Sequence, residues 1–257
     1  MNNNNQTNMT KTIVWLTAFS IAMGFLESAV VIYIREMYYP AGFNFPLVDI
    51  KRNIVVVELW RELATIIMLA AIGYLTGKTK AQRFVFFLFS FGVWDIFYYV
   101  FLKILLNWPA SVFTWDILFL LPVPWIGPVL APCLVSLSMI GLTFLVLWLE
   151  SKNHEVRFKV KHHLVLAGGC LIIIGTFVID YLQLLFLGKN NLAPEKMLVV
   201  FKHYEPTHYN WSFFVIGFIT ITYGSYLLWK DTVNKRKEVY SLVQNNSITN
   251  TTTTPKI

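Results

Sequence analysis

The chain has 257 residues, of which 56% are hydrophobic, 16% aromatic and only 14% charged. A charged share so far below the roughly 25% of soluble domains excludes an ordinary water-soluble fold, because the apolar residues gather into runs of membrane-spanning length. The formal charge of +7 does not imply nucleic acid as a partner: the basic residues sit at the ends of apolar runs, where topology and anionic headgroups account for them.

Residues 1–11 form an Asn-rich polar tract, expected to be disordered, with no basic region and no small-residue cleavage site, so the first apolar run reads as a retained anchor. Six runs follow, at approximately 12–34, 54–77, 83–106, 129–149, 163–187 and 211–229. Each is close to the ~20 residues a helix needs to cross ~30 Å of hydrocarbon. The apolar residues run on without alternating, which favours helices over a barrel. The expected fold is therefore all-α, a polytopic membrane bundle of about six transmembrane helices forming one domain over 12–229. Residues 230–257 read as a basic and then Asn/Thr-rich tail, expected to be disordered after about Val239. With six spans, thirteen Lys and Arg fall on one side and seven on the other, so both termini are expected in the cytoplasm. The chain is then a multi-pass protein of the cell (inner) membrane.

In chain order, the first span places Glu27 in its outer half, ~24 Å along the helix from Lys11 at ~1.5 Å per residue. Thr17, Ser20, Gly24 and Ser28 share its face at helical spacing. The second span enters with Glu58, Arg61, Glu62 and Thr65 on one face, and Arg61 can hold a carboxylate bidentately. The third carries Asp95 near mid-membrane beside Gly92 and the phenols Tyr98 and Tyr99, with Lys103 two turns further out.

Between the third and fourth spans, Ile117 to Leu121 is too short to cross, and Pro122, Pro124, Pro128 and Pro132 follow in quick succession. Proline removes a backbone donor, so 116–132 reads as a re-entrant or interfacial elbow over the outer mouth of the bundle. Asp116 is the weakest of the acids, solvated or capping a helix. The fifth span repeats the polar stripe with Gly169, Thr176, Asp180 and Gln183, and the sixth offers Gly217, Thr220 and Gly224 as a packing groove.

Glu27, Glu58, Glu62, Asp95, Asp116 and Asp180 all fall in or beside apolar runs near the outer side, against Arg61 and Lys103, a nominal excess of four negative charges. Ionised acids in hydrocarbon are costly, so such an excess needs protonation, a cation, a basic substrate group or water. Glu58, Glu62, Asp95, Glu27 and Asp180 are the candidate catalytic acids and bases, while Arg61, Tyr98, Tyr99 and Lys103 are the candidate substrate contacts. His203, Glu205 and His208 in the last outer loop are candidates for a divalent metal, although their spacing matches no tight metal signature. No other cofactor is indicated. Cys133 and Cys170 fall at different depths, which argues against a disulfide.

These residues point to an integral-membrane enzyme using acid–base chemistry on a lipophilic substrate. The alternatives are a small proton- or cation-coupled transporter and a non-catalytic subunit or assembly factor of a membrane complex. A carrier often shows two related halves, and none is visible here, although a homodimer would supply the symmetry. The expected partners are the bilayer and a lipophilic small molecule or cation.

Overall fold

The computed structural model describes residues 3–187 and 205–251. Six long helices dominate it: α1 (Asn3–Tyr38), α2 (Arg52–Thr76), α3 (Lys80–Leu106), α4 (Leu130–Ser151), α5 (Val160–Leu187) and α6 (Trp211–Thr251). Five of them contain stretches long and apolar enough to cross a membrane: Thr7–Tyr38, Lys80–Leu106, Leu130–Ser151, Val160–Ile179 and Trp211–Lys235. The remaining helix, α2, differs in carrying Glu58, Arg61 and Glu62 within five positions.

The helices begin and end close to the apolar runs, with two exceptions. α1 starts at Asn3, and α6 continues to Thr251, past the point where the tail was expected to become disordered. Asn234 to Glu238 supply several straight-chain residues that hold helical geometry well, and the next breaker is Pro255.

The outer surface of the bundle is apolar, unlike that of a soluble protein. On α2 the inward stripe is Glu58, Glu62, Thr65, Leu69 and Gly73, while Val57, Trp60, Ile67, Tyr74 and Leu75 face outward. On α1, Ser20, Ser28 and Arg35 are buried, while Trp15, Leu26 and Tyr33 are exposed. Apolar side chains outside, with an apolar core and a minority of buried polar groups inside, suit a hydrocarbon surround, where packing and interhelical polar contacts must hold the bundle together.

α3 is the hub: α1, α2 and α4 all pack on it, whereas α1 and α2 barely meet each other. α5 and α6 form a second pair, joined to the rest through α4 and the segment before it. Gly92 lets α3 approach α4 closely, since a Cβ there would stand 2.7 Å from the Ser136 carbonyl oxygen. The groove expected on the sixth span is a real seam. Gly217 lies against Gly169 of α5, and a Cβ on Gly217 would meet the Gly169 carbonyl oxygen at 3.0 Å.

The proline-rich stretch, expected as a non-helical elbow, folds as a β-hairpin and adds two short strands to an otherwise all-α bundle. β1 (Trp115–Phe119) pairs antiparallel with β2 (Trp125–Pro128), with Trp115 opposite Pro128, Asp116 opposite Gly127 and Ile117 opposite Ile126. The register slips between Ile117 and Phe119 before the turn. Pro122 and Pro124 occupy the turn and Pro128 ends a strand, so none interrupts a central ladder. Pro132 falls in the first turn of α4, where its missing N–H costs nothing.

Gly92→Ala is expected to lower stability by about 1–3 kcal/mol through overpacking against α4. Gly141→Ala, at a glycine with nothing within 4 Å, should be neutral. Thermal unfolding in detergent, compared across the two variants, checks this.

Candidate functional site

The inward faces of α1, α2 and α3 and the hairpin enclose a cavity of about 320 Å³. It exists because α1 and α2 both lean on α3 and splay apart from each other. Its walls are largely aliphatic, among them Val31, Ile34, Ile54, Val55 and Leu118. Inside it five carboxylates, Glu27, Glu58, Glu62, Asp95 and Asp116, face two guanidinium groups, Arg35 and Arg61, and Asp49 stands at the exposed rim.

Arg61 sits between two glutamates. Its Nη1 donates to Glu27 across the gap to α1, and its Nε and Nη2 both reach Glu58 Oε2 at 2.8 Å, one turn back on its own helix. This is the role the spacing of Glu58, Arg61 and Glu62 implies. Glu62 points elsewhere: its two oxygens accept the backbone N–H of Leu120, at 2.9 and 3.1 Å, at the hairpin turn. Asp95 accepts from Ser136 Oγ of α4 at 2.8 Å. Among the described residues neither Glu62 nor Asp95 has a cation within ion-pair distance.

Asp116 is the opposite of a solvated residue. It is 1% exposed, pairs with Arg35 Nη2 at 3.0 Å, and accepts from the Tyr99 hydroxyl at 3.3 Å. Burial pushes its carboxyl up to about 6, against the lowering effect of Arg35, the Ile117 N–H and Tyr99. The guanidinium of Arg35 also lies over two rings, 3.8 Å from the Trp108 centroid and 4.4 Å from that of Phe43. Cation–π contact and the carboxylate together make its burial tolerable.

Arg35 stands at the outer end of the first apolar run, where a basic residue ordinarily sets topology, and Lys103 is the second site cation expected from the sequence. The structure reverses the two. Lys103 does not line the cavity; it is exposed, and its ammonium reaches the carbonyls of Asn107 and Pro109 at 3.3 and 3.0 Å, closing the C-terminal end of α3. Arg35 follows Ser28 by seven residues, two helical turns, so it extends the Ser20–Gly24–Ser28 stripe. That spacing was the available signal for it.

The other sequence candidates fall as follows. Tyr98 lines the cavity, whereas Tyr99 lies behind it, holding Asp116. The side chain of Asp180 lies outside the described residues, although its neighbour Tyr181 reaches the wall. His203 also lies outside them, and Glu205 and His208 are exposed. Among the described residues no group of three or more His, Cys, Asp and Glu is placed to hold a metal. Cys133 and Cys170 are free thiols.

The hairpin is tied to every wall. Asp116 holds it to α1 and α3, Leu120 holds it to α2, and Trp125 stacks on Phe177 of α5 with centroids 6.1 Å apart. Two buried donors on residues that line the cavity, Arg35 Nη1 and Trp94 Nε1, are closed off from the cavity space and have no partner among the described residues. An unmet buried donor costs about 1–3 kcal/mol.

Comparison with family models, with curated proteins and with solved structures gives no match, so the functional reading rests on this geometry.

Replacing Arg61 with Met leaves Glu27 and Glu58 facing each other without a counter-charge. A loss of about 3–5 kcal/mol is expected, as when one partner of a buried pair is removed. Adding Glu27→Gln and Glu58→Gln should restore most of it. Denaturant midpoints of the detergent-solubilised variants check this, and an Arg61→Met variant as stable as the parent would contradict the bridge.

Proposed function

We propose that this chain is a membrane-embedded enzyme that carries out acid–base chemistry on a lipophilic substrate held between α1, α2 and the hairpin. In this reading α2 spans as well, which makes six crossings. Both termini lie in the cytoplasm of a cell whose plasma (inner) membrane holds the protein, and the cavity opens at the outer face. The lysine and arginine bias of the connections supports that orientation.

One observation carries the chemical assignment: within a single aliphatic-walled cavity, the acids divide into two kinds. Glu27, Glu58 and Asp116 have arginine partners and hold the framework. Glu62 and Asp95 have only a neutral donor each, Leu120 N–H and Ser136 Oγ. A carboxyl without a counter-charge exchanges its proton more readily than one locked in an ion pair, which is what a general acid or base requires. Glu62 and Asp95 act as the pair, one removing a proton from the substrate and the other returning one, so the pocket ends the cycle with its original proton count. Tyr98 lines the same cavity and orients the substrate.

The aliphatic lining suits a chain or ring system drawn from the bilayer, with the gap between α1 and α2 as its entry. The acid excess also suits a proton- or cation-coupled carrier, and the test below separates the two.

Glu62→Gln and Asp95→Asn keep size and hydrogen bonding while removing the exchangeable charge. Both variants are expected to insert and melt like the parent, yet lipid extracts of cells expressing them should lack a product that the parent generates. Identical extracts, with solute flux in proteoliposomes that stops when a proton or sodium gradient is collapsed, would establish a carrier instead. For the topology, single cysteines in the 78–80 turn and at Asn44, in a background lacking Cys133 and Cys170, should react from opposite sides of sealed vesicles. Labelling of both from one side would overturn six crossings.

A further inference from the structure

We infer that the end of the bundle remote from the cavity carries a binding site for an acidic phospholipid. It forms where the connection between α4 and α5 meets α6, and Arg157, Lys159, Lys161 and Lys235 surround the headgroup. This site lies on the face that the orientation above assigns to the cytoplasm, and it does not depend on the chemistry of the cavity.

α4 begins beside the hairpin and runs 22 residues to Ser151, so the connection that follows lies at the opposite end from the cavity. There two carboxylates gather four cations. Asp231 of α6 takes Lys161 at 2.6 Å and Lys159 at 3.4 Å. Glu155 of the connection takes Arg157 and, at 3.6 Å, Lys235 of α6. The four cations against two carboxylates leave a nominal excess of two positive charges. Pairing does not withdraw them from the surface, since the four side chains remain 52–70% exposed. Arg35 and Arg61, whose charges are spent within the fold, are largely buried by comparison.

The surroundings suit an anion carried on an apolar chain. The patch encloses the N-terminal end of α5, where the helix dipole favours negative charge. Val160, between the two lysines of that end, is exposed, and so are Leu164 and Leu171, four and eleven residues further on. Those offsets place all three on one face of the helix, an apolar track leading away from the cations. An acyl chain can lie along it, whereas a dissolved phosphate gains nothing from it. Clusters of four or more Lys and Arg just outside a spanning helix recruit acidic headgroups. The fold brings such a cluster together from two separate stretches of the chain.

The test reconstitutes the full chain into zwitterionic phospholipid membranes with a trace of spin-labelled lipid, either acidic or zwitterionic, of identical acyl chains. The motionally restricted fraction reports how strongly each lipid associates with the protein. The acidic lipid is expected to associate about tenfold more strongly. Arg157 and Lys235 pair with an exposed carboxylate, and surface pairs contribute little to stability, so Arg157→Gln with Lys235→Gln should melt like the parent. That double variant should lose most of the preference. Lys78→Gln with Lys80→Gln removes two exposed charges from another connection at the same end, and should keep the preference within about twofold of the parent. Salt of about 1 M, which shortens the screening length to ~3 Å, should abolish the preference of the unaltered chain. Equal loss in both double variants would assign the preference to diffuse surface charge and overturn the site. Equal association of the two lipids with the parent, or a preference that survives high salt, would also overturn it. Displacement by soluble glycerol phosphate at constant ionic strength would make the ligand a free phosphate and overturn the lipid assignment.

Discussion

The architecture turns on one guanidinium. Arg61 reaches across from α2 to Glu27 of α1 while holding Glu58 of its own helix, and these two helices otherwise barely touch. In a hydrocarbon surround the hydrophobic effect gives little reason for helices to associate, because lipid tails are as apolar as leucine. Small-residue contacts bring α1 and α4 onto α3, as Gly24 and Gly92 show. Between α1 and α2 a charge bridge takes that role, and a bridge of long side chains holds helices at a distance. The cavity is the space that such a bridge leaves.

The hairpin completes the enclosure by the same logic. Strand edges and turns packed into a protein interior need their backbone groups satisfied from within it. Here Glu62 takes the Leu120 N–H, and Arg35 and Tyr99 take Asp116. The polar residues of α1, α2 and α3 thus serve twice, as ties for the hairpin and as cavity lining. Glu62 and Asp95, each held by one neutral donor, are the interior acids without an arginine partner among the described residues. Two arginines face five interior acids, a nominal excess of three negative charges.

Much of this was legible in the sequence because membrane helices announce themselves by length and continuous apolarity. The inward stripe of α2 followed from spacings of three and four, and Glu27, Glu58, Glu62 and Asp95 do share one cavity. What escaped is instructive. Arg35 sits at the end of an apolar run, where a basic residue ordinarily reports orientation, so its seven-residue offset from Ser28 was outweighed by its position. Asp116 looked solvated because a proline-rich stretch reads as a loop, and strand pairing within that stretch depends on residues 115 and 128 meeting through a turn that no local period predicts. Lys103 pointed inward only by arithmetic of charge; helix geometry sends it to the carbonyls that α3 leaves unpaired. In each case a tertiary partner, absent from the local pattern, decided the outcome.

The central claim, a single wet cavity roofed by the hairpin and shared by α1, α2 and β1, is tested most directly by paired accessibility. Cysteines placed singly at Val31, Val55 and Leu118, in a chain lacking Cys133 and Cys170, are each reacted with a small water-soluble thiol reagent. The pairs are then reacted with a bulky one first. The account predicts that all three single sites react, and that filling any one of them slows the other two. Independent reaction at the three positions, or reaction from opposite faces of the membrane, would contradict it.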